Sequence, residues 1–138
     1  MEELDMEKEN LRIVSEAFGG LINDHHIEAI DEYWAEDYVE HNPMIGRDRK
    51  AFKEFVKGWL AAIPDLSWDP ILAPVASYDQ VWTYGRYSGT FSNDWMGMPA
   101  NGKQVDFTAM DVIRVEDGKI VEHWDVMDLK TLFDQMKG

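Results

Sequence analysis

The chain predicts an α+β fold, with helices first and a curved, mostly antiparallel sheet after them. Two patterns carry this reading. Apolar residues recur at helical spacing up to Ile63, and from Leu66 onward they alternate as in strands. A third observation is the pair of glycines, Gly85 and Gly89, inside a long strand pattern, where glycine marks a bend or bulge. A bent sheet wrapped over helices forms a cone with one closed end and one open mouth. The 138 residues are enough for one domain with a real core, and no repeat or linker divides them.

In chain order, Leu11, Val14, Phe18 and Leu21 define a first helix, weakened at its end by Gly19-Gly20. Ile27, Ile30, Tyr33 and Trp34 suggest a second, short helix, and Tyr38 to Pro43 leaves it extended. Asp48 is placed to cap a third helix, with Phe52, Phe55, Val56, Trp59, Leu60 and Ile63 on its buried side and Pro64 ending it. Leu66 to Ala76 is a strand interrupted by Pro70 and Pro74, which assigns it to a sheet edge. After a turn at Tyr78-Asp79-Gln80 comes a longer strand, Val81 to Phe91. A hairpin follows, Gln104 to Val115 and Lys119 to Asp128, and then a short helix from Leu129 capped by Asp128.

Composition removes several function classes. With 27 acidic against 13 basic residues, the net charge of −14 disfavours nucleic acid and anionic membrane surfaces. There is no cysteine, hence no disulfide frame, thiolate nucleophile or thiolate metal site. The acidic start, Met1-Glu2-Glu3-Leu4-Asp5, lacks a secretory pattern, and no apolar run approaches a membrane span of roughly 20 residues. A cytoplasmic protein is expected. Walker, Rossmann and nucleophile-elbow patterns are absent from the sequence.

The final hairpin is the richest stretch. Its turn, Glu116-Asp117-Gly118, sets which residues meet. A two-residue turn pairs Glu116 with Lys119 and sets Asp111 opposite Trp124. A three-residue turn pairs Val115 with Lys119, sets Asp111 opposite His123, and Ala109 opposite Asp125. The second register is preferred, because it puts Phe107, Ala109, Asp111 and Ile113 on one face with Val121, His123 and Asp125. Two carboxylates and an imidazole on an apolar face suit acid/base chemistry: desolvation makes aspartate a stronger base, and imidazole holds or orients a proton. The same residues also suit a buried polar network that fixes the register.

His41 and Asn42 come next. Either they point into the cone mouth and bond a ligand oxygen, or they form a solvated turn before Pro43. The loop from Ser92 to Lys103 carries Trp95, Met96 and Met98 between glycines, as a flap over an apolar ligand or as a loop packed on the core or on a second subunit. A histidine-carboxylate metal site lacks any supporting spacing, so no metal is expected. The hairpin's other face is apolar too, with Met110, Val112, Trp124 and Val126, and a second subunit is expected to cover it.

The order and spacing of these segments resemble the SnoaL-like polyketide cyclases of the nuclear-transport-factor-like superfamily. The similarity covers most of the chain: the first helix, Tyr38 to Pro43, Gly46 before the Phe-rich helix, and Gly89-Thr90 leading to Met96-Gly97-Met98-Pro99-Ala100-Asn101-Gly102-Lys103. It is densest from Asp111 to Asp125. The resemblance implies a cone-shaped α+β barrel, a homodimer, and no metal or organic cofactor. It implies acid/base chemistry on a small apolar carbonyl compound, such as intramolecular aldol cyclisation or isomerisation, with Asp125 at the position of the family's catalytic aspartate. An assisting histidine on the preceding strand is replaced here by Asp111. Another histidine common after the Gly-Thr step is replaced by Phe91. His123 and His41 are the imidazoles left to assist. The expected catalytic set is therefore Asp125, His123 and Asp111, with His41, Asn42, Phe91, Trp95, Met98 and Phe107 against the substrate. Isomerases, dehydratases, epoxide hydrolases and non-catalytic ligand-binding modules share the superfamily, so the fold alone chooses no reaction.

Overall fold

The computed structural model describes residues 2–138. Helix α1 (Glu2–Phe18) runs into a wider π-type turn at Gly19–Asn23, where the two glycines loosen the helix. A short α2 (Ala29–Tyr33) leads into strand β1 (Trp34–Glu40), so Trp34 opens a strand rather than closing the helix. Helix α3 (Arg49–Ala62) starts at the expected cap, with the Asp48 carboxylate accepting from the Ala51 amide. Four strands follow: β2 (Ser67–Ser77), β3 (Gln80–Thr90), β4 (Gln104–Glu116) and β5 (Lys119–Met127). Helix α4 (Leu129–Lys137) closes the chain, capped by Asp128.

The five strands form one mixed sheet in the order β1-β5-β4-β3-β2. All neighbours are antiparallel except β1, which runs parallel to β5. β2 lies at an edge, as its prolines require. Inward-facing residues of β3 and β4 alternate with outward ones and bury Val81, Tyr87, Phe107, Ala109, Ile113 and Val115 against the helices. Among the described residues, no helix is long and apolar enough to cross a membrane.

The glycines of β3 act differently from expectation. Pairing between β3 and β4 is unbroken from Gln80 to Thr90, and the bulges sit on β2, after Pro70 and after Leu72. Gly85 and Gly89 instead admit close neighbours. A Cβ on Gly85 would lie 2.2 Å from the Trp68 indole nitrogen, and one on Gly89 would lie 2.3 Å from a methyl of Ile63.

The hairpin register differs from both expected alternatives. Asp117 and Gly118 form a two-residue turn with positive φ angles of 50° and 76°, and Glu116 pairs with Lys119. A bulge then places Val121 as an extra residue, so Val115 pairs with Ile120 and Arg114 with Glu122. Asp111 therefore faces Asp125, and Ile113 faces His123. Without the bulge, Glu122 and Trp124 would point inward. With it, Ile120, His123 and Asp125 do, and Ile120 takes the inner place expected for Val121.

Candidate active site

Between the sheet and the helices lies an apolar cavity of about 50 Å³. Phe18, Phe52, Phe55 and Trp59 line it from the helical side, and Tyr87, Ile113 and Met127 from the sheet. Asp111, His123 and Asp125 enter the same wall.

The buried polar groups form a chain with His123 at its centre. Its Nδ1 lies 2.9 Å and 3.0 Å from the two oxygens of Glu40, and its Nε2 lies 2.7 Å from Asp111 Oδ1. Parallel pairing of β1 with β5 sets Glu40 beside His123, which fixes the first contact in the backbone. The Tyr38 hydroxyl donates to Glu40 at 2.5 Å, and the amides of His41 and Asn42 donate to its other oxygen. The Tyr87 hydroxyl donates to Asp111 Oδ2 at 3.1 Å. Burial alone would discharge the imidazole, but the bonds and charges of Asp111 and Glu40 outweigh it and raise its pKa to about 10. His123 is thus a fixed imidazolium that donates from both nitrogens. Burial opposes ionisation of Glu40, yet its bond to His123 holds its pKa below the ordinary value. Burial also keeps the phenols of Tyr38 and Tyr87 protonated well above their usual range.

Asp125 stands apart from this chain. Its Oδ2 is 3.9 Å from His123 Nε2, beyond hydrogen-bond reach, and Asn42 Nδ2 donates to both its oxygens at 3.0 Å and 3.3 Å. Burial raises its pKa, the His123 charge lowers it, and Asp111 raises it again, leaving it at about 6. Its side chain is buried, faces the cavity, and changes charge near neutral pH. Glu40, His123 and Asp125 also offer ligand-type atoms within 4.8 Å of one another. Within this trio Glu40 and His123 are bonded to each other, and Asp125 stands 3.9 Å from His123 Nε2.

Several expected substrate contacts lie elsewhere. His41 is on the outside of the sheet, stacked on Trp124 at 4.7 Å and bonded to Glu122 at 2.7 Å, because β1 ends at Glu40 and the chain turns outward. Asn42 reaches the site, where it holds Asp125 and its side-chain oxygen accepts from the Met44 amide. Phe91 is fully buried in the core, and Phe107 lies behind the cavity wall, stacked on Tyr87 at 5.4 Å. Trp95 and Met98 pair their backbones in a tight turn over Met96-Gly97. That turn packs Trp95 on Phe55 and Trp59, so the loop packs on the core and does not cover the cavity. Asp111 uses both oxygens as acceptors and has no spare donor.

Glu40, Tyr38 and Tyr87 were not among the expected site residues. The alternation of Tyr38, Val39 and Glu40 was the available signal, since it puts Glu40 on the face of a core tyrosine.

A family described as SnoaL-like polyketide cyclase matches residues 12–136, and the chain belongs to that family. It is similar in structure to TsrD from Streptomyces laurentii, with a TM-score of 0.82 and 25% identity over 92% of this chain and 94% of that one. AclR from Streptomyces galilaeus, described as a candidate hydroxylase, superposes with a TM-score of 0.84 at 25% identity, over 94% and 96% of the two chains. Wild-type IdmH from Streptomyces antibioticus, described as a candidate polyketide cyclase, gives 0.81 at 27% identity, over 94% and 99%. No curated protein sequence matches.

Proposed function

We propose that the chain is a cofactor-independent enzyme of the cyclase type that removes a proton from carbon beside a carbonyl in a small, largely apolar compound. The observation that carries this reading is Asp125: one carboxylate in an apolar cavity, outside the salt-bridged chain, with its pKa raised to about 6. A base of that strength is charged at neutral pH and still accepts a proton readily. The C–H electron pair becomes the enolate double bond, the proton passes to Asp125, and negative charge collects on the carbonyl oxygen. His123 stays protonated nearby and stabilises that charge through space. With both nitrogens engaged, it serves as a fixed cation that orients the site, in place of a proton relay. The enolate carbon then attacks a second carbonyl of the same molecule, and the new alkoxide takes the proton from Asp125. Reprotonation at another carbon gives an isomer instead.

The test begins with native mass spectrometry of the protein as purified, to identify a carried compound. That compound is then followed by NMR in deuterated water for exchange at carbon beside its carbonyl. Wild-type protein is expected to catalyse exchange, and Asp125→Asn to slow it by roughly 10²–10⁴-fold while retaining the ligand. Equal exchange by the two proteins would remove Asp125 from the role. Binding without any exchange would assign the chain to ligand-binding modules of the same fold.

A further inference from the structure

Two consecutive residues after β1 grip two consecutive residues of β5 from opposite sides. The ladder between these strands runs one residue past Glu40, where the His41 amide donates to the His123 carbonyl at 3.1 Å. Alternation then sends the His41 side chain outward and the Asn42 side chain inward. Outside, the His41 ring lies parallel to the Trp124 ring, 4.7 Å away and tilted by only 4°, and its Nε2 meets Glu122 at 2.7 Å. Inside, the Asn42 amide donates to both oxygens of Asp125, at 3.0 Å and 3.3 Å. His41 and Asn42 are neighbours in the chain, and so are Trp124 and Asp125. One clasp therefore closes over β5 from both faces.

The Asn42 end of the clasp is fixed at every polar atom. Its side-chain oxygen accepts from the Met44 amide at 2.9 Å, which turns the NH₂ toward Asp125. Its backbone N–H donates to Glu40, and its carbonyl accepts from the amides of Ile45 and Gly46. Among the described residues, no other group donates a hydrogen bond to the Asp125 carboxylate. Three charged groups act on Asp125 through space: His123 on β5, Asp111 on β4 and Glu40 on β1. From α3 only the apolar bodies of Phe52, Phe55, Val56 and Trp59 reach the cavity. Burial and the two carboxylates oppose a charge on Asp125, whereas His123 and the Asn42 amide favour it. Of these two, only Asn42 is in contact.

We propose that Asn42 is a positioning residue for Asp125, and that the stack of His41 on Trp124, on the outer face of the sheet, holds Asn42 in place. The proposal rests on the reading of Asp125 as the base. It assigns Asn42 to the base in place of the substrate oxygen, and it gives the outer face of the sheet a route to that base through a single peptide unit.

The test reads the ionisation of Asp125 and needs no substrate. In protein labelled with ¹³C at the aspartate carboxyls, the resonance lost in Asp125→Asn belongs to Asp125, and its titration gives a midpoint. Asn42→Ala is expected to raise that midpoint from about 6 to about 7 or higher, because the charged form loses its only hydrogen-bond donor. His41→Ala, made on the opposite side of the sheet, should move the midpoint the same way by a smaller step. His41→Phe keeps a flat ring on Trp124 and should titrate as wild type does, although its bond to Glu122 is gone. Both His41 replacements remove the imidazole, so the difference between them isolates the stack. If Asn42→Ala does not fold, Asn42→Asp keeps the bond from Met44, sets a carboxylate beside Asp125, and should raise the midpoint further. A midpoint unmoved by the Asn42 replacement overturns the positioning role. Wild-type behaviour in His41→Ala, or equal shifts in His41→Ala and His41→Phe, overturns the part given to the stack. Proton exchange absent from wild type would reject Asp125 as the base and leave these midpoints as they are. Midpoints indifferent to Asn42 and His41 would reject the clasp and leave exchange by Asp125 standing.

Discussion

Residue by residue, the site divides its ionisable groups into two kinds. Glu40, His123 and Asp111 are bonded to one another and held in place, whereas Asp125 is left to titrate. A rate that needs Asp125 charged and His123 charged rises through about pH 6 and falls toward about pH 10. Stability follows a different course. The pKa of His123 is raised from 6.5 to about 10 on folding, so its contribution is full below 6.5 and disappears as pH climbs through 10. The pKa of Asp125 is raised from 3.8 to about 6, so folding favours its protonated form, and that contribution is lost as pH rises from 3.8 through 6. Exchange rates and urea midpoints measured across this range check both curves. A rate independent of pH between about 5 and 8 counts against the Asp125 base. Asp111, His123 and Asp125 were legible as one inward face because alternation assigns faces along a strand. Glu40 was not, since its contact with His123 joins strands 83 residues apart and depends on a parallel pairing that no local pattern encodes.

At the scale of elements, the helices and strands follow closely from periodicity and caps, and the misreadings fall where one residue changes a register. The hairpin could be read as either of two turns, and the bulge at Val121 made neither pairing correct while keeping His123 and Asp125 inside. A bulge is set by packing of the finished sheet, not by the turn, and its sequence carries no glycine to announce it. Gly85 and Gly89 were read as a bend or bulge; the extra residue opposite Gly85 lies on β2, and at both glycines the indole of Trp68 or the end of α3 occupies the space of the missing side chain. Gly85→Ala is therefore expected to cost about 1–3 kcal/mol through displacement of Trp68, read as a lower urea midpoint with an unchanged slope. A variant as stable as wild type would show that Trp68 moves aside freely.

For the molecule as a whole, the outer sheet face is the conspicuous surface. Trp82, Val112 and Trp124 form one cross-strand row, and Tyr84, Met110 and Val126 form the next. Val126 is 75% exposed and Met110 44%. A chain with a net charge of −14 repels its own copy nearly everywhere, and this uncharged patch is where two copies can approach. We expect a two-fold dimer through Met110, Val112, Trp124 and Val126, seen by light scattering as twice the chain mass. Trp124→Glu should give monomers, because the pairing would bury an unpaired charge. Since the cavity opens on the opposite face, ligand binding should survive. A wild-type protein that scatters as a monomer at micromolar concentration would reject the assembly.

The parallel contact between the first strand and the last also bears on the order in which the chain is made. During synthesis Glu40 leaves the ribosome long before His123, and until β5 arrives its carboxylate has no cation to meet. A carboxylate without its counterion stays in water, and β1 cannot settle against the sheet while it does. Closure of the cavity is therefore expected to wait for the final strand, which is the only sheet neighbour β1 has.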